Sequence, residues 1–158
     1  MSYTKRNIKY IYEYNRKTYK AYSLRIDKNK DQFKLYFLDT GLLMALYGKS
    51  TKRALLTSRL TSNIKTAVFE NVIGEFLVKK GYSLHYYKKD NSLMRIEFLI
   101  EKDNNVIPIE VKAQDNSSIS LNNYIKIFNP PIAYKLTSGN VGLVDKKKTI
   151  PHYMIMFL

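Results

Sequence analysis

The chain has 158 residues and no cysteine, so disulfide bonds and thiolate metal sites are excluded. Only two histidines are present, His85 and His152, which excludes a histidine-rich zinc site and leaves carboxylate oxygens as ligands for any metal. Basic residues outnumber acidic ones by 27 to 13, and the resulting charge of +14 favours polyanionic partners, with nucleic acid first and an anionic membrane surface second. A lysine-rich composition that serves mainly for solubility is the alternative explanation of this charge. No signal peptide and no apolar run of bilayer length is visible, which predicts a soluble, cytoplasmic protein without a membrane partner.

The N-terminal quarter carries half of the net charge, because ten lysines and arginines in residues 1–36 face only three acids. Six tyrosines are interleaved with these cations, as is typical of a surface that stacks on nucleic-acid bases. The spacing of Ile8, Ile11 and Tyr12 equally fits an amphipathic helix packed on the core, so both interpretations stay open. Residues 1–32 are therefore predicted to be a basic, tyrosine-rich arm, and residues 33–158 the main domain.

Beyond the arm, strand and helix patterns follow one another. Lys34–Asp39 predicts a strand and Leu42–Tyr47 a small helix. Gly48-Lys49-Ser50 resembles only the end of a phosphate-binding loop, so no nucleotide site is expected. The remaining predicted elements are a helix over residues 65–80 closed by Gly81, strands over Ser83–Tyr87, Leu93–Glu101 and Val106–Ala113, a helix over Leu121–Phe128, and closing strands over Ile132–Thr137 and His152–Phe157 separated by a loop from Ser138 to Ile150. This order predicts a mixed α/β domain.

Acidic residues recur at suggestive positions in three of these elements. Alternation along the third strand puts Glu110 and Lys112 on one face, opposite Ile107, Ile109 and Val111. The turn at residues 102–105 can bring Glu97 beside Glu110, and the same alternation places Glu97 opposite Ile96, Phe98 and Ile100. Glu70 lies at the edge of the apolar face of its helix, either as a solvated border residue or directed into a cleft, whereas Glu75 is expected on the far side.

Two carboxylates beside a lysine can support phosphoryl chemistry. The carboxylates of Glu97 and Glu110 can hold Mg²⁺, which activates water and neutralises phosphate charge. The ammonium of Lys112 can assist the attacking water or stabilise charge on the phosphoryl oxygens. Glu-x-Lys alone is a weak signal, and the presence of Glu70 on the preceding helix strengthens it.

The order of Glu70 on a helix, Glu97 on a strand and Glu110-Val111-Lys112 on the next strand resembles the PD-(D/E)XK nuclease-like superfamily. More closely, the chain resembles the DUF4143 domain, the C-terminal part of a large group of bacterial and archaeal AAA-type ATPases. The resemblance covers roughly residues 20–158, and the segments that carry it are Lys34–Leu43, Ala67–Asn71, Arg95–Glu101, Val106–Ala113, Leu121–Tyr124 and Ile150–Tyr153.

The resemblance implies a restriction-endonuclease-like core with a central mixed sheet flanked by helices. It implies that Glu97, Glu110 and the backbone carbonyl of Val111 bind Mg²⁺ or Mn²⁺, that Lys112 is the catalytic lysine, and that Glu70 is an accessory acid. Residues 3–22 resemble the end of the winged-helix segment that precedes the domain in the ATPases. The implied partners are nucleic acid, DNA above all, and an AAA-type ATPase module, with a homodimer as one possible assembly.

The sequence departs from the superfamily pattern at two positions. Glu97 stands where aspartate is usual, which lengthens the side chain by one methylene, and Arg95 occupies a position that is often acidic in the family. The guanidinium of Arg95 can pair with Glu97 or Glu101 and compete with a metal, or it can bind a phosphate. Two functions therefore remain open: a metal-dependent nuclease that hydrolyses phosphodiester bonds, and a catalytically inactive module of an ATPase that binds nucleic acid or a protein partner.

Overall fold

The computed structural model describes residues 8–13, 33–89 and 92–158, and it describes residues 8–13 and 33 through their backbone only. The described strands form one eight-stranded sheet in the order β2-β1-β3-β4-β5-β6-β8-β7. The strands are β1 (Ile8–Glu13), β2 (Phe33–Phe37), β3 (His85–Lys88), β4 (Arg95–Lys102), β5 (Asn105–Val111), β6 (Ala133–Thr137), β7 (Gly142–Val144) and β8 (Lys147–Pro151). The helices are α1 (Thr40–Leu56), α2 (Ser62–Lys79), α3 (Ile119–Phe128) and a C-terminal 3₁₀ helix (His152–Phe157).

The sheet is mixed, because β1–β3, β5–β6 and β6–β8 are parallel and the other pairs are antiparallel. Helix α3 connects the parallel strands β5 and β6, as such a crossover requires. The predicted α/β class, with a mixed sheet flanked by helices, is confirmed. No helix in the described ranges is long and apolar enough to cross a membrane.

Two apolar clusters cover the two faces of the sheet. Ile73 and Leu77 of α2 pack with Phe98 and Ile109, and all four side chains are 0% exposed. On the other face, Leu121 and Tyr124 of α3 pack in a smaller cluster. Its other members are Tyr87, Met94, Ile96, Leu99 and Ala133. Burial of these side chains is the main favourable contribution to folding, and it fixes α2 and α3 on opposite faces of β4 and β5.

Turns and helix ends occur where the sequence predicted them. Asp103 and Asn104 adopt φ values of 51° and 57° in the β4–β5 hairpin, a conformation that Asn and Asp tolerate better than most residues. Helix α2 ends before Gly81 at φ 88°, and α3 ends at Asn129 in the left-handed region, ahead of two prolines. These predictions of the hairpin and of both helices are confirmed.

Three local features differ from the predictions or extend them. The helix considered for the arm does not form over Ile8–Glu13, which pairs as strand β1 between β2 and β3. The predicted small helix Leu42–Tyr47 forms as the first part of α1, which is interrupted at Gly48 (φ 83°) and continues beyond it to Leu56. The closing strand His152–Phe157 is a 3₁₀ helix, and the predicted loop before it contains the β7–β8 hairpin. A six-residue apolar segment does not distinguish these conformations by periodicity alone.

The division into an arm and a main domain stays a prediction. Strand β1 belongs to the same sheet as the strands beyond residue 32. Residues 1–7 and 14–32, which include most of the tyrosine-rich segment and of the winged-helix resemblance, lie outside the described residues.

Candidate active site

A β-bulge in β4 determines where the Glu97 side chain points. Ile96 pairs with Tyr87 and Leu99 pairs with His85, so Glu97 and Phe98 together oppose the single residue Tyr86. Ile96 therefore packs in the cluster under α3, whereas Phe98 packs in the cluster under α2. The predicted common face of Ile96, Phe98 and Ile100 was wrong, because an extra residue in one strand interrupts the alternation. Bulges of this kind redirect side chains and are common next to functional sites.

The carboxylate of Glu97 lies where β4 and β5 separate. Regular pairing of the two strands runs from Lys102 only as far as Phe98 opposite Ile109. Beyond it, the backbone N–H of Val111 donates to Glu97 Oε2 at 3.3 Å, and Arg95 Nε lies 3.7 Å from Glu97 Oε1. Of the two partners predicted for Arg95, the structure thus places Glu97 within ion-pair distance. The Arg95 side chain is 63% exposed, so this surface ion pair contributes little to stability.

Burial and neighbouring acids make the charge on Glu97 costly. The pKa of Glu97 is raised to about 7, by burial above all and also by the negative charges of Glu70 and Glu110. The positive charge of Lys34 acts in the opposite direction. Of the three predicted acids, Glu97 is therefore the one on which the charges of the other two act.

Glu110 and Lys112 form a pair at the end of β5. Glu110 is 1% exposed, and its Oε1 lies 3.3 Å from Nζ of Lys112, whose side chain is 33% exposed. The second carboxylate oxygen of Glu110, Oε2, is buried without a hydrogen-bond partner among the described residues. An unsatisfied buried carboxylate oxygen is expensive, and such an atom in a native fold needs an explanation.

Glu70 is directed into the protein, not out to bulk solvent. Its Oε2 accepts hydrogen bonds from Lys34 Nζ and from the Tyr36 hydroxyl, each at 3.4 Å, and its side chain is 16% exposed. Burial first, and then the charge of Glu70, raise the pKa of Tyr36, so this hydroxyl keeps its proton and donates it. One helical turn later, at Gly74, α2 packs closely on the sheet, because a Cβ added there would lie 3.4 Å from Phe98 and Tyr36.

Sequence reasoning missed several partners in this region. Lys34 and Tyr36 are two residues apart on β2, and that alternation was the available signal that they face Glu70 together. Glu75, expected on the far side of α2, instead accepts hydrogen bonds from the backbone N–H and the hydroxyl of Thr40, at 3.0 and 2.7 Å. His152 was also missed, although its Nε2 lies 2.9 Å from the carbonyl oxygen of Lys112.

The residues present fit a divalent cation held by two carboxylates, but not a larger acidic cage. No group of three or more His, Cys, Asp or Glu residues in the described ranges is arranged to hold a metal ion. Mg²⁺, however, usually takes only one or two protein carboxylates and keeps several waters. The unpartnered Oε2 of Glu110 and the raised pKa of Glu97 are compatible with a site of this kind. Glu70 is engaged with Lys34 and Tyr36 instead.

One comparison with known proteins gives a match. The family model described as "Domain of unknown function (DUF4143)" matches residues 65–153, which is more than half of the chain. The chain belongs to the DUF4143 family. The matched part of this DUF4143 chain contains Glu70, Glu97, Glu110 and Lys112, whereas Lys34 and Tyr36 precede it. No curated protein and no solved structure matches the chain.

Proposed function

We propose that this DUF4143 chain is a metal-dependent nuclease of the PD-(D/E)XK type that hydrolyses phosphodiester bonds, with Glu97 and Glu110 as metal ligands. The observation that carries the proposal is the buried Oε2 of Glu110, which lacks a partner among the described residues while Oε1 of the same carboxylate faces Lys112. A cation between Glu97 and Glu110 would satisfy that oxygen and offset the repulsion between the two acids. The carbonyl of Val111 is the proposed third protein ligand.

A bound Mg²⁺ or Mn²⁺ would polarise the phosphoryl group and lower the pKa of a coordinated water. The chain's own residues supply positioning and charge around it. Lys112 is a partly exposed ammonium fixed beside a buried carboxylate, so it can stabilise negative charge on the phosphate. The proposed role of Glu70, whose carboxylate is held by Lys34 and Tyr36 and whose charge acts on Glu97, is to orient water near the metal ligands.

The charge of the whole chain supports nucleic acid as the substrate, and DNA is the first choice. A net charge of +14 attracts any polyanion. Among polyanions, nucleic acid is the one whose phosphodiester bonds a site of this chemistry would hydrolyse. Residues 40–69 contain three lysines, two arginines and no acid, so part of this charge lies on α1 and the start of α2. The same proposal places the chain in the cytoplasm. It gives the chain an AAA-type ATPase module as a protein partner and a homodimer as one possible assembly.

The second candidate function is a binding module without catalytic activity. Arg95 favours it, because its guanidinium lies 3.7 Å from Glu97 Oε1 and supplies a positive charge where a metal would otherwise be needed. In that case the basic surface would bind nucleic acid or an ATPase, and the buried acids would serve the fold alone.

Plasmid nicking separates the two functions. Wild type, Glu110→Gln and Lys112→Ala are assayed with Mg²⁺, with Mn²⁺ and with EDTA, and DNA binding is measured in EDTA for each protein. The nuclease proposal expects metal-dependent nicking by wild type only, with binding retained by both variants. Lys147→Ala is a matched control, because Lys147 bonds to Asn122 Oδ1 on the surface of β8 and α3. If wild type binds DNA in EDTA but cuts with neither metal, the nuclease proposal is wrong and the binding module remains.

A further inference from the structure

His152 connects two parts of the proposed site that are far apart in the sequence. It is the first residue of the C-terminal 3₁₀ helix, and its ring stacks on Phe69 with a centroid distance of 4.0 Å and parallel planes. Phe69 directly precedes Glu70 on α2. On its other side, His152 Nε2 lies 2.9 Å from the carbonyl oxygen of Lys112.

The chemistry of this contact fixes the tautomer of His152. A carbonyl oxygen only accepts hydrogen bonds, so Nε2 must carry the hydrogen and donate it. Burial, together with the positive charge of Lys65, lowers the pKa of His152, while the bond to the carbonyl raises it. The net direction is downward, so the ring is neutral at pH 7 with its hydrogen on Nε2.

Lys112 follows Val111, the last residue of β5, so its backbone carbonyl lies outside the regular pairing of the strand. Its N–H donates to the carbonyl of Leu136 at 2.8 Å, which holds the peptide group before it. Its own carbonyl lies beyond the last paired residue of β5, Val111 opposite Leu136, and the contact described for it is the one to His152. The peptide group between Lys112 and Ala113 is therefore held by the imidazole.

The 3₁₀ helix that carries His152 is itself anchored on the rest of the fold. Ile155 is 0% exposed in the cluster under α2, and Lys80 Nζ at the end of α2 lies 2.8 Å from the carbonyl oxygen of Leu158. Ile155 in the core, and Pro151 paired with Thr137 just before the helix, limit how far the imidazole can move from Phe69 and Lys112.

We infer that His152 is a positioning residue, which ties the helix bearing Glu70 to the backbone of Lys112 and so sets the distance between the accessory acid and the lysine. The catalytic part of this inference rests on the proposed nuclease function. The structural part, that the imidazole holds the Lys112 carbonyl, does not depend on any activity.

The structural part is tested by nuclear magnetic resonance. Because the chain has only two histidines, the ¹⁵N signals of both rings can be assigned by comparing wild type with His85→Phe. His152 is expected as the neutral Nε2–H tautomer at pH 7. The amide signal of Ala113, whose nitrogen belongs to the Lys112 peptide group, should move in His152→Phe and return towards wild type in His152→Gln. An Nδ1–H tautomer, or an Ala113 signal that is the same in all three proteins, would overturn the inference.

The catalytic part is tested with the same variants in the nicking assay. His152→Phe keeps a ring for the stack and loses the donor, whereas His152→Gln places an amide N–H near the position of Nε2. We expect kcat to fall on the order of 10- to 100-fold in His152→Phe, with KM nearly unchanged and with partial rescue in His152→Gln. The control is His85→Phe, which removes the other imidazole, a buried one in β3, and should leave kcat unchanged.

The outcomes of the two tests are distinguishable. If wild type cuts DNA and His152→Phe has the same kcat, the positioning role is overturned. No cutting by wild type would refute the proposed nuclease, while the Ala113 and tautomer measurements would still decide whether His152 holds Lys112.

Discussion

The ionisation of Glu97 should make the stability of the metal-free protein depend on pH. Its pKa is raised from 4.5 to about 7 in the folded protein, so folding favours the protonated carboxyl. This favourable contribution is fully present below the unfolded pKa and is lost as the pH rises through the folded pKa. The side chain is only 5% exposed, so solvent screening does not reduce the effect much. The shift corresponds to about 3 kcal/mol of unfolding free energy lost between about pH 4 and pH 8.

The assay is urea unfolding in EDTA at several pH values, for wild type and Glu97→Gln. The glutamine is always neutral, so the variant should lack this loss, and the difference between the two curves should grow with pH. The lowered pKa values of His85 and His152 act in the opposite direction, but both residues are present in both proteins and their effects cancel in the difference. Asp103→Asn, at an exposed turn carboxylate, is the control and should retain the wild-type pH dependence. Parallel curves for wild type and Glu97→Gln would refute the reasoning.

Three further predictions concern the metal, the nucleic acid and the fold. Wild type should cut DNA faster with Mn²⁺ than with Mg²⁺, because Mg²⁺ demands near-ideal octahedral geometry and Glu97 is one methylene longer than the usual aspartate. Glu97→Asp should bring the two nicking rates closer together. An unchanged ratio of the Mn²⁺ rate to the Mg²⁺ rate would mean that the length of this side chain does not limit cleavage. Replacing Lys49, Lys52 and Arg53 of α1 by glutamine should flatten the dependence of log K on log salt, by about 0.9 for each phosphate that the variant no longer neutralises, as measured by fluorescence anisotropy; an identical slope would place the interface elsewhere. Asn71→Ala should lower the unfolding free energy by about 3 kcal/mol, because Asn71 is 3% exposed and bonds to both the N–H and the carbonyl of Phe37; Asn123→Ala at an exposed position of α3 is the control, and equal losses would contradict the account.

The sequence was most informative where structure is determined locally. The β4–β5 hairpin followed from four polar residues between alternating strands, and α2 followed from its apolar stripe and Gly81. The family, too, was recognisable from short motifs spread over the chain, and the family match confirms it.

Features that depend on distant neighbours could not be predicted. The bulge at Glu97 is defined by how β4 pairs with β3, and no pattern within β4 reveals it. The contacts of Glu70 with Lys34 and Tyr36 span more than thirty residues, as does the contact of His152 with Lys112, 40 residues away. Strand β1 was missed because Ile8–Glu13 is too short to separate helical from alternating periodicity, and its place in the sheet depends on β2 and β3.

The claim that Glu97 and Glu110 form a cation site is tested most directly by measuring Mn²⁺ binding itself. Free Mn²⁺ is followed by electron paramagnetic resonance as it is titrated into wild type, Glu110→Gln and the control Lys147→Ala. Wild type and the control should each remove a single Mn²⁺ per chain from solution, because Oε2 of Glu110 is buried and unpartnered among the described residues. Glu110→Gln should leave that Mn²⁺ free. Equal Mn²⁺ binding by wild type and Glu110→Gln, or no binding by either, would contradict the account.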